Sequence, residues 1–246
     1  WDEESGLYLD RDHQSGRFIR SRTIASLLPL WAGIPDRNRL ARLLEQVLAP
    51  EAFNTFIPLP SVALDDPHFE RDMWRGPVWI NTAYSVIEGL RRYNLHDVAS
   101  DLAYRLWDGV YRTFSKYGHF YEFYDPTAIG IQNLDRKRGN RWKRISLGGR
   151  PVADFVGWTG LVKTLVIETL FGLQFSDRGL AIRPRFPPAA KGHEFLLSIP
   201  FLGLKINLAV LPGCATRGTV AGPAGEHSFH VPFGGIIPCD AVLSKT

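Results

Sequence analysis

Three short segments, in a fixed order along the chain, carry residue types that can do chemistry. They are Trp74-Arg75-Gly76-Pro77-Val78-Trp79-Ile80-Asn81, Gly118-His119-Phe120-Tyr121-Glu122-Phe123-Tyr124-Asp125-Pro126 and Val156-Gly157-Trp158-Thr159-Gly160. Each sets aromatic side chains beside a polar or charged residue at the edge of a helical pattern. A sugar ring stacks its C–H face on Trp or Tyr, and cleaving a glycosidic bond takes two carboxyl groups, one an acid and the other a base or nucleophile. Glu122, among Phe120, Tyr121, Phe123 and Tyr124, is the carboxylate best suited to that work. Rings packed around a carboxylate perturb its pKa, as catalytic acids and bases require. The competing reading is a structural ion pair between Glu122 and an arginine.

The other candidates each have a plainer reading beside the functional one. A Trp at helical spacing is commonly core, yet Trp79 opens a helix beside Trp74, Arg75 and Gly76, at the kind of loop-to-helix junction where binding residues sit on a rigid scaffold. Arg75 suits sugar hydroxyls or a carboxylate; alternatively it pairs with Asp65, Asp66, Glu70 or Asp72. Asp65-Asp66-Pro67 and Asp125-Pro126 are carboxylate clusters, but also ordinary turn chemistry. His119 reads as structural, for no Ser or Cys nucleophile motif accompanies it. There is no Gly-x-Ser-x-Gly, no phosphate-binding Gly-rich loop and no zinc spacing, so no cofactor or metal is expected. Cys214 and Cys239 are compatible with a disulfide and equally with two free thiols.

These motifs need elements to position them. Gly6–Asp10 and Gly16–Ile19 suggest a hairpin around a polar turn. Ile24, Leu27, Leu28 and Trp31 predict a helix closed by Gly33, and Asp36 caps a second with Leu40, Leu43, Leu44, Val47 and Leu48 on one face. Pro77 predicts the first turn of a third helix, striped by Val78, Thr82, Ala83, Val86, Ile87 and Leu90. Asn94 is placed to cap a fourth carrying Val98, Leu102, Leu106, Val110 and Phe114. A fifth, Val152 to Phe171, is apolar on nearly every face, so burial on both sides is expected. After Gly172 prolines punctuate short runs, and Leu204–Leu211 alternates as a strand does. Two regions are therefore expected: 1–172, mainly α and of partial (α/α)6-barrel type, and 173–246, a small β-rich appendage.

The chain's 246 residues carry a formal charge of only +4, which says little about partners. Much of the excess lies in Arg136–Arg144, read as a solvated surface loop around Trp142. Phe155–Leu173 is interrupted by Lys163 and Glu168, which argues against a membrane span.

At the three motifs the chain resembles the glycoside hydrolases of family 63, and more distantly the family 37 trehalases. The resemblance runs from Trp1-Asp2-Glu3-Glu4-Ser5-Gly6-Leu7-Tyr8 through Leu28-Pro29-Leu30-Trp31-Ala32-Gly33 and the three motifs to Leu180-Ala181-Ile182-Arg183-Pro184. It implies an (α/α)6 barrel and hydrolysis of α-linked sugars, α-glucosides or mannosylglycerate-like compounds, with inversion. In that scheme Glu122 is the general base, and Trp74, Arg75, Gly76, Trp79, Asn81, Tyr121, Tyr124 and Trp158 line the sugar subsite. The family's general acid is an aspartate upstream of the matched region, and neither Asp2 nor Asp10 takes its place. The expected partner is a carbohydrate substrate, with no nucleic acid and no membrane. Five amphipathic helices in an open arc would expose apolar surface, so a preceding half or a partner chain is expected to complete the barrel. The expected location is cytoplasmic. The rival readings are a carbohydrate-binding pseudoenzyme and a sugar epimerase on a similar barrel.

Overall fold

Asp36 is where the chain first commits to a long helix. Its backbone is extended and its carboxylate accepts the N–H of Arg39 at 2.9 Å, satisfying one of the donors that every helix start leaves open. The computed structural model describes residues 1–176, 179–201, 203–213, 215–222, 225–232 and 237–238, so Cys214 and Cys239 lie outside the described residues. The elements amount to 34% helix and 21% strand, a mixed chain rather than a mainly helical one. It divides into two compact units, Trp1–Leu95 with Arg105–Val162, and His96–Tyr104 with the chain from Lys163 onward.

In the first unit a 3₁₀ turn, Ile24–Leu27, leads into α1 (Pro29–Ala32), which Gly33 ends in the left-handed conformation at φ 72°. Helix α2 (Arg37–Leu48) buries Leu43 and Val47. Helix α3 (Ile80–Arg92) packs Ala83, Val86, Ile87 and Leu90 inward and crosses α1 at Gly89. A Cβ at Gly89 would stand 2.7 Å from the Leu30 carbonyl carbon and the Trp31 nitrogen. That contact is with backbone, which cannot swing aside. Gly89→Ala is therefore expected to destabilise the unit by about 1–3 kcal/mol despite alanine's better helix propensity. A thermal melt that rises instead would show that α1 and α3 separate at little cost.

Helix α4 (His96–Tyr117) ends at Gly118 with φ 73°. A seven-residue α5 (Arg141–Leu147) follows, capped by the Asn140 side chain on the Lys143 N–H. The basic stretch is thus partly helical, not a plain loop. Trp142 and Ile145 stand exposed on it.

Three helical expectations are corrected. Val78 exchanges both backbone hydrogen bonds with Tyr124, at 2.9 and 3.0 Å, so α3 starts at Ile80 and Pro77 stays outside it. Asn94 is left-handed at φ 61° and caps nothing; Leu95 holds the N-cap position of α4. Residues 152–160 are not helical, because Val152 accepts the N–H of Glu122, Ala153 bridges Tyr121 and Phe155 donates to Phe120. Helix begins only at Leu161 as α6 (Leu161–Thr164) and widens into a π-type turn over Leu165–Leu170. Val156 and Trp158 are consequently exposed rather than buried.

The second unit contains two antiparallel sheets. Strands β1 (Leu173–Ser176), β2 (Gly179–Ile182) and β7 (Ile237–Pro238) form one, in the order β1-β2-β7. Strands β3 (Phe195–Phe201), β4 (Leu204–Leu211), β5 (Ala215–Gly222) and β6 (Gly225–Pro232) form a meander in chain order. Along β4 the buried Leu204, Ile206, Leu208 and Val210 alternate with more exposed residues, the period of a strand with one covered face. Among the described residues no helix is long and apolar enough to cross a membrane.

Candidate active site

The first two motifs meet as backbone neighbours within the first unit, and the residues just before the third run beside the second. Residues 120–124 run between Val78 on one side and Val152–Ala153 on the other. Trp74 sits at the tip of a turn closed by the Arg75 N–H on the Asp72 carbonyl, just after Met73 at φ 48°. A left-handed methionine costs about 1–2 kcal/mol. Here it is held by its own backbone: its N–H donates to the Asp135 carbonyl at 3.2 Å, and its carbonyl accepts the Trp79 indole N–H at 2.9 Å.

The aromatic cluster that results is layered. Trp74 lies flat on Trp79, centroids 3.7 Å apart and planes within 5°. Trp158 leans on both, at 5.8 and 5.4 Å, and Phe123 backs Trp79 at 5.0 Å. Trp79 is 1% exposed, whereas Trp74 and Trp158 are 43% and 42% exposed. The rings free to receive a sugar are therefore Trp74 and Trp158. Trp79 is their foundation, with Trp74 covering one face.

Glu122 is 5% exposed and held from two directions. The Arg136 Nε–H donates to Oε2 at 3.0 Å and lies 3.4 Å from Oε1, while the Val152 N–H donates to Oε2 at 3.1 Å. Oε2 is thus doubly satisfied, and Oε1 keeps the greater accepting capacity. Leu134 packs with Trp79 and Phe123.

The remaining candidates are distributed differently. Arg75 is two-thirds exposed and paired with Glu70 at 2.9 Å, and it lines a surface cavity of about 530 Å³ with Asp72, Arg138 and Lys143, a lining that does not include Glu122 among the described residues. Gly76, at φ 144°, is there for space, because a Cβ would fall 2.1 Å from the Glu70 carbonyl oxygen. Asn81, in the first turn of α3, has a buried Oδ1 without a hydrogen-bond partner, an acceptor a sugar hydroxyl would satisfy. Tyr121 and Tyr124 are both buried. The Tyr124 hydroxyl accepts the Tyr121 N–H at 3.1 Å, and burial pushes the phenol up to about 12. The Thr159 hydroxyl donates to the Tyr121 carbonyl at 2.7 Å, tying the second motif to the third. Asp125 closes a turn onto Thr127, and Asp66 closes one onto His68 while its other oxygen accepts the distant Arg22 N–H, so both aspartates are in structural service. His119 pairs with Asp154. Among the described residues no group of His, Cys, Asp and Glu is arranged to hold a metal ion.

Glu122, held by Arg136, is followed in the chain by Phe123, which backs the tryptophan cluster. The family described as "Mannosylglycerate hydrolase MGH1-like glycoside hydrolase domain" matches residues 1–129, which include the first two motifs. The chain belongs to that glycoside hydrolase family. The mannosylglycerate hydrolase of Thermus thermophilus is 40% identical over 127 residues, 51% of this chain and 29% of the relative. A probable mannosyl-oligosaccharide glucosidase of Schizosaccharomyces pombe is 25% identical, over 68% of this chain and 21% of the relative. The crystal structure of an uncharacterized conserved protein from Thermus thermophilus matches with a TM-score of 0.50 and 31% identity, covering 66% of this chain and 36% of that one. The chain thus spans less than a third of the curated relatives it matches. The family 63 kinship is established, with trehalases as more distant relatives.

One functional candidate escaped the sequence analysis. Arg136 lies fourteen residues from Glu122, at the head of the basic stretch Arg136 to Arg144 that reads as surface. Only its side-chain exposure of 13%, low for an arginine, sets it apart. That signal exists in three dimensions alone.

Proposed function

We propose that this chain forms the base-bearing part of an inverting α-glycosidase site, on the partial (α/α)6 barrel expected from the sequence. Glu122 activates the attacking water through Oε1. Arg136 and the Val152 amide hold Oε2, so the carboxylate stays oriented. Trp74 and Trp158 bind the sugar face, and Asn81 Oδ1 accepts one of its hydroxyls. The protonating acid comes from outside the residues assembled around Glu122, and a region of the protein other than 1–172 supplies it. The substrate class is the one the relatives' names give: mannosylglycerate or an α-glucoside. The β-rich region 173–246 is proposed as an appendage. The observation that carries this reading is the fixed carboxylate followed in the chain by Phe123, which backs the tryptophan cluster.

Its test is stereochemical. In an inverting enzyme water attacks the face opposite the leaving group, so an α-linked substrate releases the β-anomer first. Proton NMR within the first minutes of turnover is expected to show β-sugar ahead of mutarotation. Initial release of the α-anomer would mean a covalent intermediate and would end the general-base assignment. One observation favours a second reading, sugar binding without hydrolysis: a buried Glu122–Arg136 pair is also a sufficient structural ion pair. That reading expects sugar affinity with no turnover under any condition.

A further inference from the structure

The second unit holds a cavity of about 560 Å³ lined by three cations, two residues from the start of a helix and a largely proline-built apolar remainder. Arg183, Arg185 and Lys191 contribute three positive charges, opposed by the single carboxylate of Asp97. Among the described residues none of the three cations is in an ion pair. The backbone beneath them is fixed. The Arg183 N–H donates to Gly172 at 2.9 Å and the Arg185 N–H to Leu170 at 2.7 Å. Gly172 is required for that approach, since a Cβ there would lie 1.8 Å from the Arg183 carbonyl oxygen. Exposed Arg183 and Arg185 alternate with buried Pro184 and Phe186, which sends both guanidinium groups to one side.

The opposite wall is the start of α4, a 22-residue helix whose N-cap residue, Leu95, makes no side-chain capping bond. A helix start concentrates positive potential and open N–H donors. Asp97 and Ser100, three residues apart and so on one face, both line the cavity. Ser100 is 2% exposed, and its Oγ is buried with no hydrogen-bond partner. Helical side chains lean toward the N-terminus, so this hydroxyl points back to the first turn. A buried hydroxyl left without a partner costs about 1–3 kcal/mol, which a ligand atom at that place would recover. Phe186, stacked on Phe195 at 4.4 Å, supplies a rigid apolar part of the lining.

We infer that this cavity is a binding site for a hydroxylated oxyanion, a sugar phosphate or a sugar acid. The anionic group takes Arg183, Arg185 and Lys191, and the carbon chain lies over Phe186. Ser100 Oγ–H donates to the anion or a neighbouring hydroxyl, and Asp97 accepts from a hydroxyl, which explains a carboxylate in a cationic site. The inference is independent of the glycosidase reading: the site shares no residue with Glu122 and its test measures binding alone.

The test is calorimetric titration of the full chain at low salt with glucose 6-phosphate, gluconate and, as the uncharged control, glucose. Saturable binding of either anion, with glucose silent, is the expected result. Glucose 6-phosphate alone assigns a phosphate site; gluconate alone assigns a carboxylate site. Arg183→Ala is expected to weaken binding on the order of tenfold or more, as loss of a charge-assisted hydrogen bond does. Ser100→Ala is expected to weaken it by about three- to tenfold. Arg183 is exposed, so Arg183→Ala should leave the unliganded melting curve unchanged, whereas Ser100→Ala removes a buried unpartnered hydroxyl from a helix interior and should hold or raise it. No binding by either anion, equal binding of glucose, or undiminished binding in Arg183→Ala would each overturn the assignment.

Discussion

Glu122→Gln is expected to lower kcat by about 10²- to 10⁴-fold while leaving KM close to its original value. The amide is nearly isosteric, and its oxygen can accept the Arg136 and Val152 hydrogen bonds that now reach Oε2. Its NH₂ group then occupies the place of Oε1, where it donates and cannot take a proton from water. Substrate still docks on Trp74 and Trp158, but the attack step fails. The exchange also removes the carboxylate charge that faces the Arg136 guanidinium, which destabilises by as much as about 3–5 kcal/mol, so the comparison belongs at a temperature where circular dichroism shows both proteins folded. Full activity in Glu122→Gln would make Glu122 the structural partner of Arg136 and nothing more. Asp125 is no substitute, with one oxygen taken by Thr127 and the other beside Arg71.

Trp79→Ala is expected to cost about 3–5 kcal/mol of stability, or roughly 10 °C in melting temperature, with any loss of activity following from that. The side chain is 1% exposed, and its removal empties the layer between Trp74 and Phe123 while freeing the Met73 carbonyl. Trp74→Ala should do the opposite: little change in melting, and sugar affinity lower by about three- to tenfold. Calorimetric melts paired with substrate titration separate the two. If Trp79→Ala melts like the parent, the stack does not support the site.

The same pair shows what a sequence can and cannot display. An aromatic at a helix start announces a special position, and both tryptophans carry that signal. Which one meets solvent depends on the left-handed Met73 that turns Trp74 over Trp79, and no local pattern encodes it. Local signals served where the structure is local: the Asp36 cap, the glycine stop at Gly33 and the alternation of Leu204–Leu211. They misled where distant strands compete for the backbone. Residues 152–160 have helical composition, yet backbone groups of Val152, Ala153 and Phe155 go to the Glu122 segment. Pro77 looks like a first-turn proline until Val78 pairs with Tyr124. Asn94 has the chemistry of a cap and instead takes the left-handed turn that asparagine tolerates.

The meander of β3 to β6 joins each strand to the next in the chain, so every contact it needs is separated by a short loop. The Glu122 site is built the other way, by pairing residues near 78, 122, 136 and 152 across long stretches. Chain closure over long separations is slow, and local pairing is fast. The sheet is therefore expected to form early in refolding and the carboxylate site late. In a pulse-labelling exchange experiment the β4 and β5 amides should gain protection before the amides of Glu122 and Tyr124. A refolding chain would hold a folded sheet well before it held the paired segments around Glu122.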